Sequence, residues 1–158
     1  MKIGIIGSNE RAAAIARLLA SGGNEVTMSG NGQGEETPYR QATTSDILVF
    51  AMPREQVDEA ISATGSGVEA HAIVDAMEGP PKVPNAPSGA EALARKLDSH
   101  RVVRALIVLP QAGANIPICG DDAGAKALVD EAFKASGCLT ADRGPLSRAA
   151  ELEPPRAA

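Results

Sequence analysis

Two hydrophobic rhythms alternate along this chain. One is the short continuous apolar run of a buried strand; the other is an alanine-rich stretch whose apolar residues return every three or four positions. Lys2 to Ile6 is the first run, and Arg11 to Ser21 carries the first helical stripe, with Ile15, Leu18 and Leu19 on one side and Arg17 off it. Gly22-Gly23 stops that helix. Glu25 to Met28 predicts a second strand, and the polar, glycine-dense stretch from Ser29 to Pro38 predicts a loop. Asp46 to Ala51 (DILVFA) is the clearest buried strand. Pro53 opens a helix with Val57, Ala60 and Ile61 inward. Ala72 to Asp75 is a strand ending in an acid, and residues 78–88, with four prolines, are an extended loop. Ser88 opens a helix through Leu97, with Glu91 completing a capping box. Arg101 to Leu109 and Ile116 to Cys119 predict strands. Asp121-Asp122 starts a helix reaching Ser136, and Cys138 to Ala141 is an edge strand. Residues 1–150 form a single domain, and 151–158 a frayed tail.

The corner between the first strand and helix carries the chemistry. A strand that runs into a glycine turn and directly into a helix is how a dinucleotide-binding βαβ unit begins. The glycine lets backbone approach a pyrophosphate, and the helix start offers free N–H groups and a favourable dipole. Here the turn reads Gly7-Ser8-Asn9-Glu10-Arg11-Ala12, so only the first glycine of G-x-G-x-x-G remains. Asn9 places a side chain where the pyrophosphate would lie, and Ala12 is a permitted variant of the third glycine. Glu10 competes with a bound phosphate for the same N–H groups, and Arg11 offsets its charge. With strands and helices alternating, the expected fold is α/β: a Rossmann-like, doubly wound, mostly parallel sheet with helices on both faces. The distance from Ser29 to Asp46 leaves little room for the helix and third strand that complete the first βαβαβ half, so that half reads as trimmed.

Composition narrows the partners. Aromatics are 2% of the chain, with no Trp, so bases find few stacking platforms, and a net charge of −5 opposes a phosphate backbone. Nucleic acid is therefore a poor partner, and none is expected. No signal segment or spanning run is expected either, which predicts a cytoplasmic protein without membrane attachment. Cys119 and Cys138 stand far apart and read as reduced, buried thiols. His71 and His100 have no acidic partner at ligand spacing, so no metal site is expected. No Ser/His/Asp or Cys/His set appears, and no catalytic residue is identified. Asp75, at a strand end, is a candidate polar contact in the crevice, with a capping or loop-bonding role as the alternative.

Several strings in order resemble the NADP-dependent reductases of the deazaflavin coenzyme type. Ala16-Arg17-Leu18-Leu19 matches the end of that family's first helix, and Asp46 to Pro53 its D-x-V-x-L-A-V-P strand. Ile73-Val74-Asp75-Ala76 is similar to V-I-D-A-T-N-P, Val102 to Ala105 to V-V-K-A-F-N-T, and Cys119-Gly120-Asp121-Asp122 to C-G-D-D. Gly144-Pro145-Leu146 falls at its G-P-L. The resemblance implies NADP or NAD at Gly7, Ser8, Asn9, Arg11 and Ala12, with Ser29 near the ribose and Ala51-Met52-Pro53 against the nicotinamide. It also implies a flavin or deazaflavin co-substrate and hydride transfer between the two; a homodimer is plausible, since many doubly wound reductases pair. The family's arginine after the strand-two serine is missing, its T-N-P is Met77-Glu78-Gly79-Pro80, and its F-N-T is Leu106-Ile107-Val108. These departures favour two other readings: a non-catalytic relative acting as a binding or assembly module, or a site for a small anion near Ser8 and Arg11.

Overall fold

The computed structural model describes residues 1–29, 37–65, 67–79 and 86–153. The chain runs β1 (Lys2–Ile6), α1 (Glu10–Ser21), β2 (Glu25–Ser29), α2 (Pro38–Thr44), β3 (Ile47–Phe50), α3 (Val57–Thr64), β4 (Ala72–Asp75), α4 (Gly89–Leu97), β5 (Val102–Ala105), β6 (Asn115–Gly120), α5 (Ala123–Ala135) and β7 (Leu139–Asp142). A 3-10 turn at Arg54–Gln56 precedes α3, and a 3-10 segment at Leu146–Leu152 follows β7. The loops expected over 29–38 and 78–88 lie largely outside the described residues.

One sheet holds all seven strands in the order β2-β1-β3-β4-β5-β6-β7. Every neighbouring pair is parallel except β5 and β6. This is the Rossmann-like, doubly wound α/β fold. After β2 the chain crosses back and lays β3 on the far side of β1, so the C-terminal ends of β1 and β3 form the topological switch point where such sheets bind ligands.

Alternation along the strands sorts the core into two layers. Ile3, Ile5, Ile47, Val49, Val74 and Val103 pack under α1 and α5. Ile6, Leu48, Phe50, Ile73 and Val102 pack under α2, α3, α4 and the last 3-10 segment. Among the described residues no helix is long and apolar enough to cross a membrane.

Four sequence expectations need correction. Among the described residues between Ser29 and Asp46 there is no third strand outside β2, yet there is a helix. α2 is capped by the Thr37 side chain, begins on Pro38 and buries Gln41 and Ala42. Pro53 precedes a 3-10 turn, and α3 itself starts at Val57. The strand expected over 101–109 stops at Ala105: one further bond, from Leu106 N to Pro117 O, follows it, and Val108 and Leu109 are exposed. Finally, the tail does not fray at 151, since Leu152 is buried in the second layer and Glu153 is tied to the start of α4.

Candidate functional site

At the switch point, Gly7 turns with φ +151°, a conformation that side chains disfavour, and its N–H donates to Ser29 O at 2.9 Å. A Cβ here would lie 3.1 Å from the Ala12 Cβ and 3.1 Å from the Ala51 carbonyl carbon. The glycine therefore lets β1, β3 and α1 converge. Ala12 is fully buried in the contact, as the helix–strand packing role of the third fingerprint position requires.

Asn9 is the N-cap of α1. Its Oδ1 accepts from the Ala12 N–H at 2.8 Å. One of the donors that would face a pyrophosphate is thus already satisfied by the chain itself. The amides of Glu10 and Arg11 have no carbonyl one turn back to bond, as at any helix start. Ser8 and Glu10 are exposed beside them.

Arg11 runs away from this corner. Its Nη1 donates to Ala76 O at 2.5 Å and its Nη2 to Ile107 O at 3.0 Å, the carbonyls just beyond β4 and β5. Its Nε lies 3.0 Å from Glu78 Oε1 but out of line for a hydrogen bond, and is buried without a partner among the described residues. Burial pulls the Arg11 pKa below that of free arginine, with Glu78 pulling it back up.

The other expected site residues are covered. Ser29 is buried, and its hydroxyl donates to Gln41 Oε1 at 2.6 Å; Gln41 Nε2 in turn donates to Thr27 O at 3.1 Å. Ser29 thereby anchors α2 to β2. Ala51 and Met52 are buried at the end of β3, and Pro53 bridges to Glu78.

Asp75 is fully buried at the centre of an ionic network that sequence reading missed. Arg54 grips it with both terminal nitrogens, at 3.0 and 3.3 Å, and Arg104 Nη1 reaches its Oδ1 at 3.3 Å. The Met77 N–H donates to the same oxygen at 3.0 Å. Arg104 also donates to Leu152 O at 2.8 Å and to Met77 O at 2.9 Å. Glu153 supplies the second negative charge. Its carboxylate accepts from the N–H groups of Gly89 and Ala90, each at 3.0 Å, and lies 3.8 Å from Arg54. Two cations and two anions thus balance in a closed interior; only the bond from the Met77 N–H is of the loop-bonding kind given as the alternative for Asp75. One signal was present in the sequence: AIVD and VVRA are apolar strands that each carry one charge, and a buried charge needs a partner. Asp75 and Arg104 are indeed cross-strand partners.

Both cysteines are free and buried. Burial pushes the Cys119 thiol up to about 11 from 9.0, with the Arg104 cation working in the opposite direction. The folded state holds this proton more tightly than the unfolded chain does. Its contribution to stability is therefore complete below pH 9 and is lost as the pH climbs toward 11. Folded protein at pH 8 should leave both thiols unmodified by iodoacetamide, with modification appearing only in denaturant; mass spectrometry of the folded sample reads this directly.

Neither a protein-family model nor a curated relative matches the sequence. Solved structures do match. A protein described as an F420-dependent NADP reductase from Arthrobacter sp. FB24 superposes with a TM-score of 0.75 at 20% identity, over 96% of this chain and 88% of that one. An imine reductase from Bacillus cereus gives 0.76 at 13% identity over 95% of this chain, and a pyrroline carboxylate reductase from Plasmodium falciparum with NADP bound gives 0.69 at 13% over 90%. This chain spans 57% of each of those two proteins. At such identities the likeness establishes the fold.

Proposed function

We propose that this chain is an NAD(P)-binding oxidoreductase domain that passes hydride between a nicotinamide nucleotide and a flavin or deazaflavin type acceptor. The observation that carries the reading is the corner at Gly7. There a glycine brings backbone within contact distance of Ala51, at a switch point that opens onto the start of α1. The structural neighbours described as reductases support it.

The residues at the start of α1 fit the diphosphate of a dinucleotide with one adjustment. Gly7 leaves room for close approach, and the amides of Glu10 and Arg11 would receive a phosphate oxygen. The Asn9 carboxamide has to rotate off the Ala12 amide, at the cost of an N-cap, about 0.5–2 kcal/mol. Hydride chemistry belongs to the nucleotide; the chain contributes position, and the apolar end of β3 at Ala51-Met52-Pro53, buried here, would have to be uncovered to meet the ring. Residues 30–36 contain no lysine or arginine to pair with a 2′-phosphate, so NAD and NADP belong in the same screen.

The test is a thermal-shift series against NADP, NAD, FMN and a deazaflavin, with mass spectrometry of whatever co-purifies. A dinucleotide at a hundred times its Kd adds about 2.7 kcal/mol of stability, a shift of several degrees. Asn9→Gly restores the second glycine of the fingerprint and costs only a few tenths of a kcal/mol as a cap, so its shift should exceed that of the wild type. No shift in either protein at millimolar dinucleotide sinks the redox reading. One observation favours a second reading, a non-catalytic binding or assembly module: Asn9 and Arg11 both spend their polar groups on the chain itself.

A further inference from the structure

Arg11 sits in the first turn of α1, and yet its guanidinium is held by carbonyls beyond β4 and β5. In the sheet, β3 and then β4 lie between β1 and β5, so the side chain crosses the C-terminal end of β3. That end is Ala51-Met52-Pro53. Ala51, Met52 and Ile107 are core residues, 1%, 6% and 2% exposed, so a planar ring reaches this end of β3 only if the chain around it moves. The strap is also imperfect. Its buried Nε meets Glu78 Oε1 at 3.0 Å but makes no hydrogen bond among the described residues, a desolvation cost that an arginine free to rearrange would escape. Glu78, its nearest counter-charge, has a side chain 70% exposed, so the pair is open to water and to competing anions.

We propose that Arg11 is a bolt across the nicotinamide half of the crevice. In the position seen here the chain admits the adenosine diphosphate part of a dinucleotide and excludes the remainder, and the whole dinucleotide binds only when the guanidinium leaves Ala76 and Ile107. This rests on the dinucleotide reading above and deepens it. Arg11 is on this view a specificity-determining residue: it sets which length of nucleotide the corner accepts, and it charges the longer ligand the breaking of two ionic hydrogen bonds.

The test compares Kd values for ADP, NADH and NADPH on the wild type, Arg11→Met and Arg11→Lys, by titration calorimetry on the full chain. Arg11→Met should tighten the dinucleotides about 10-fold or more, the size of one charged hydrogen bond no longer broken on admission, and leave ADP within about twofold. Arg11→Lys keeps the charge but cannot reach both carbonyls, so it should move the same way; it preserves the comparison if the Met variant folds poorly. Equal changes for ADP and the dinucleotides overturn the bolt and leave the dinucleotide reading standing. A loss of dinucleotide affinity in both variants does the same, by making Arg11 a phosphate contact. No binding of any of the three probes to any of the three proteins removes the dinucleotide reading and the bolt together.

Discussion

Asp75→Asn should destabilise this protein by about 3–5 kcal/mol, the cost of removing one partner from a buried ionic cluster. The substitution preserves shape and removes only charge. It leaves the Arg54 and Arg104 guanidinia, whose side chains are 5% and 3% exposed, with Glu153 as the one remaining carboxylate. It also turns an amide donor toward one of them. Against a typical total stability of about 5–15 kcal/mol, the loss is about a fifth or more. Urea unfolding by circular dichroism measures it, and the m-value should stay constant if the native fold is kept. A change below about 1 kcal/mol would show that water reaches the cluster and that the charges are not confined.

Gly89→Ala should also destabilise, by about 3 kcal/mol, although alanine is the better helix former by about 1 kcal/mol. The reason is spatial. A Cβ on Gly89 would collide with the Nη1 and Cζ atoms of Arg54. The end of an arginine normally moves aside, but this one is fixed by Asp75 on one side and by Gly79 O at 3.2 Å on another. Moving it breaks the bidentate pair, so overpacking and ionic loss arrive together. A melting temperature that rises in this variant would mean that Arg54 has another place to go. Because Gly89 and Asp75 act through the same guanidinium, the double variant should lose less than the sum of the two single losses.

How much was legible depends on whether a signal was local. β4 matches the expected Ala72 to Asp75 residue for residue, because a fully buried central strand writes its identity in four consecutive positions. The Ser88 cap was equally readable: its Oγ accepts from the Glu91 N–H at 3.1 Å and donates to the Glu91 carboxylate at 2.9 Å. α2 was missed because its buried face is Gln41 and Ala42, and a buried glutamine reads as surface until Ser29 and Thr27 are known to satisfy it. The run at 101–109 looked like one strand because apolarity marks burial and not pairing. Leu106 N still donates to Pro117 O, but beyond it the chain leaves the sheet.

The candidate site shows the same division. The turn at Gly7 and the packing of Ala12 were readable from spacing. The destinations of the Asn9 and Arg11 side chains were not, since one depends on cap geometry and the other on carbonyls 65 and 96 positions away. Glu153 was hidden for a related reason. Its partners, the amides at the start of α4, lie 64 residues upstream, and no window along the sequence brings them together.

That distance has a kinetic meaning. Contacts between remote segments carry a large loop-closure cost, so they tend to form after the local ones, and what forms late in folding acts mainly on the rate of escape from the native state. The carboxylate of Glu153 closes a circuit that already needs β4, β5 and α4 in place. The lifetime of the folded molecule is then governed by how readily its final short turn peels away from the sheet, more than by how quickly the first strands find one another.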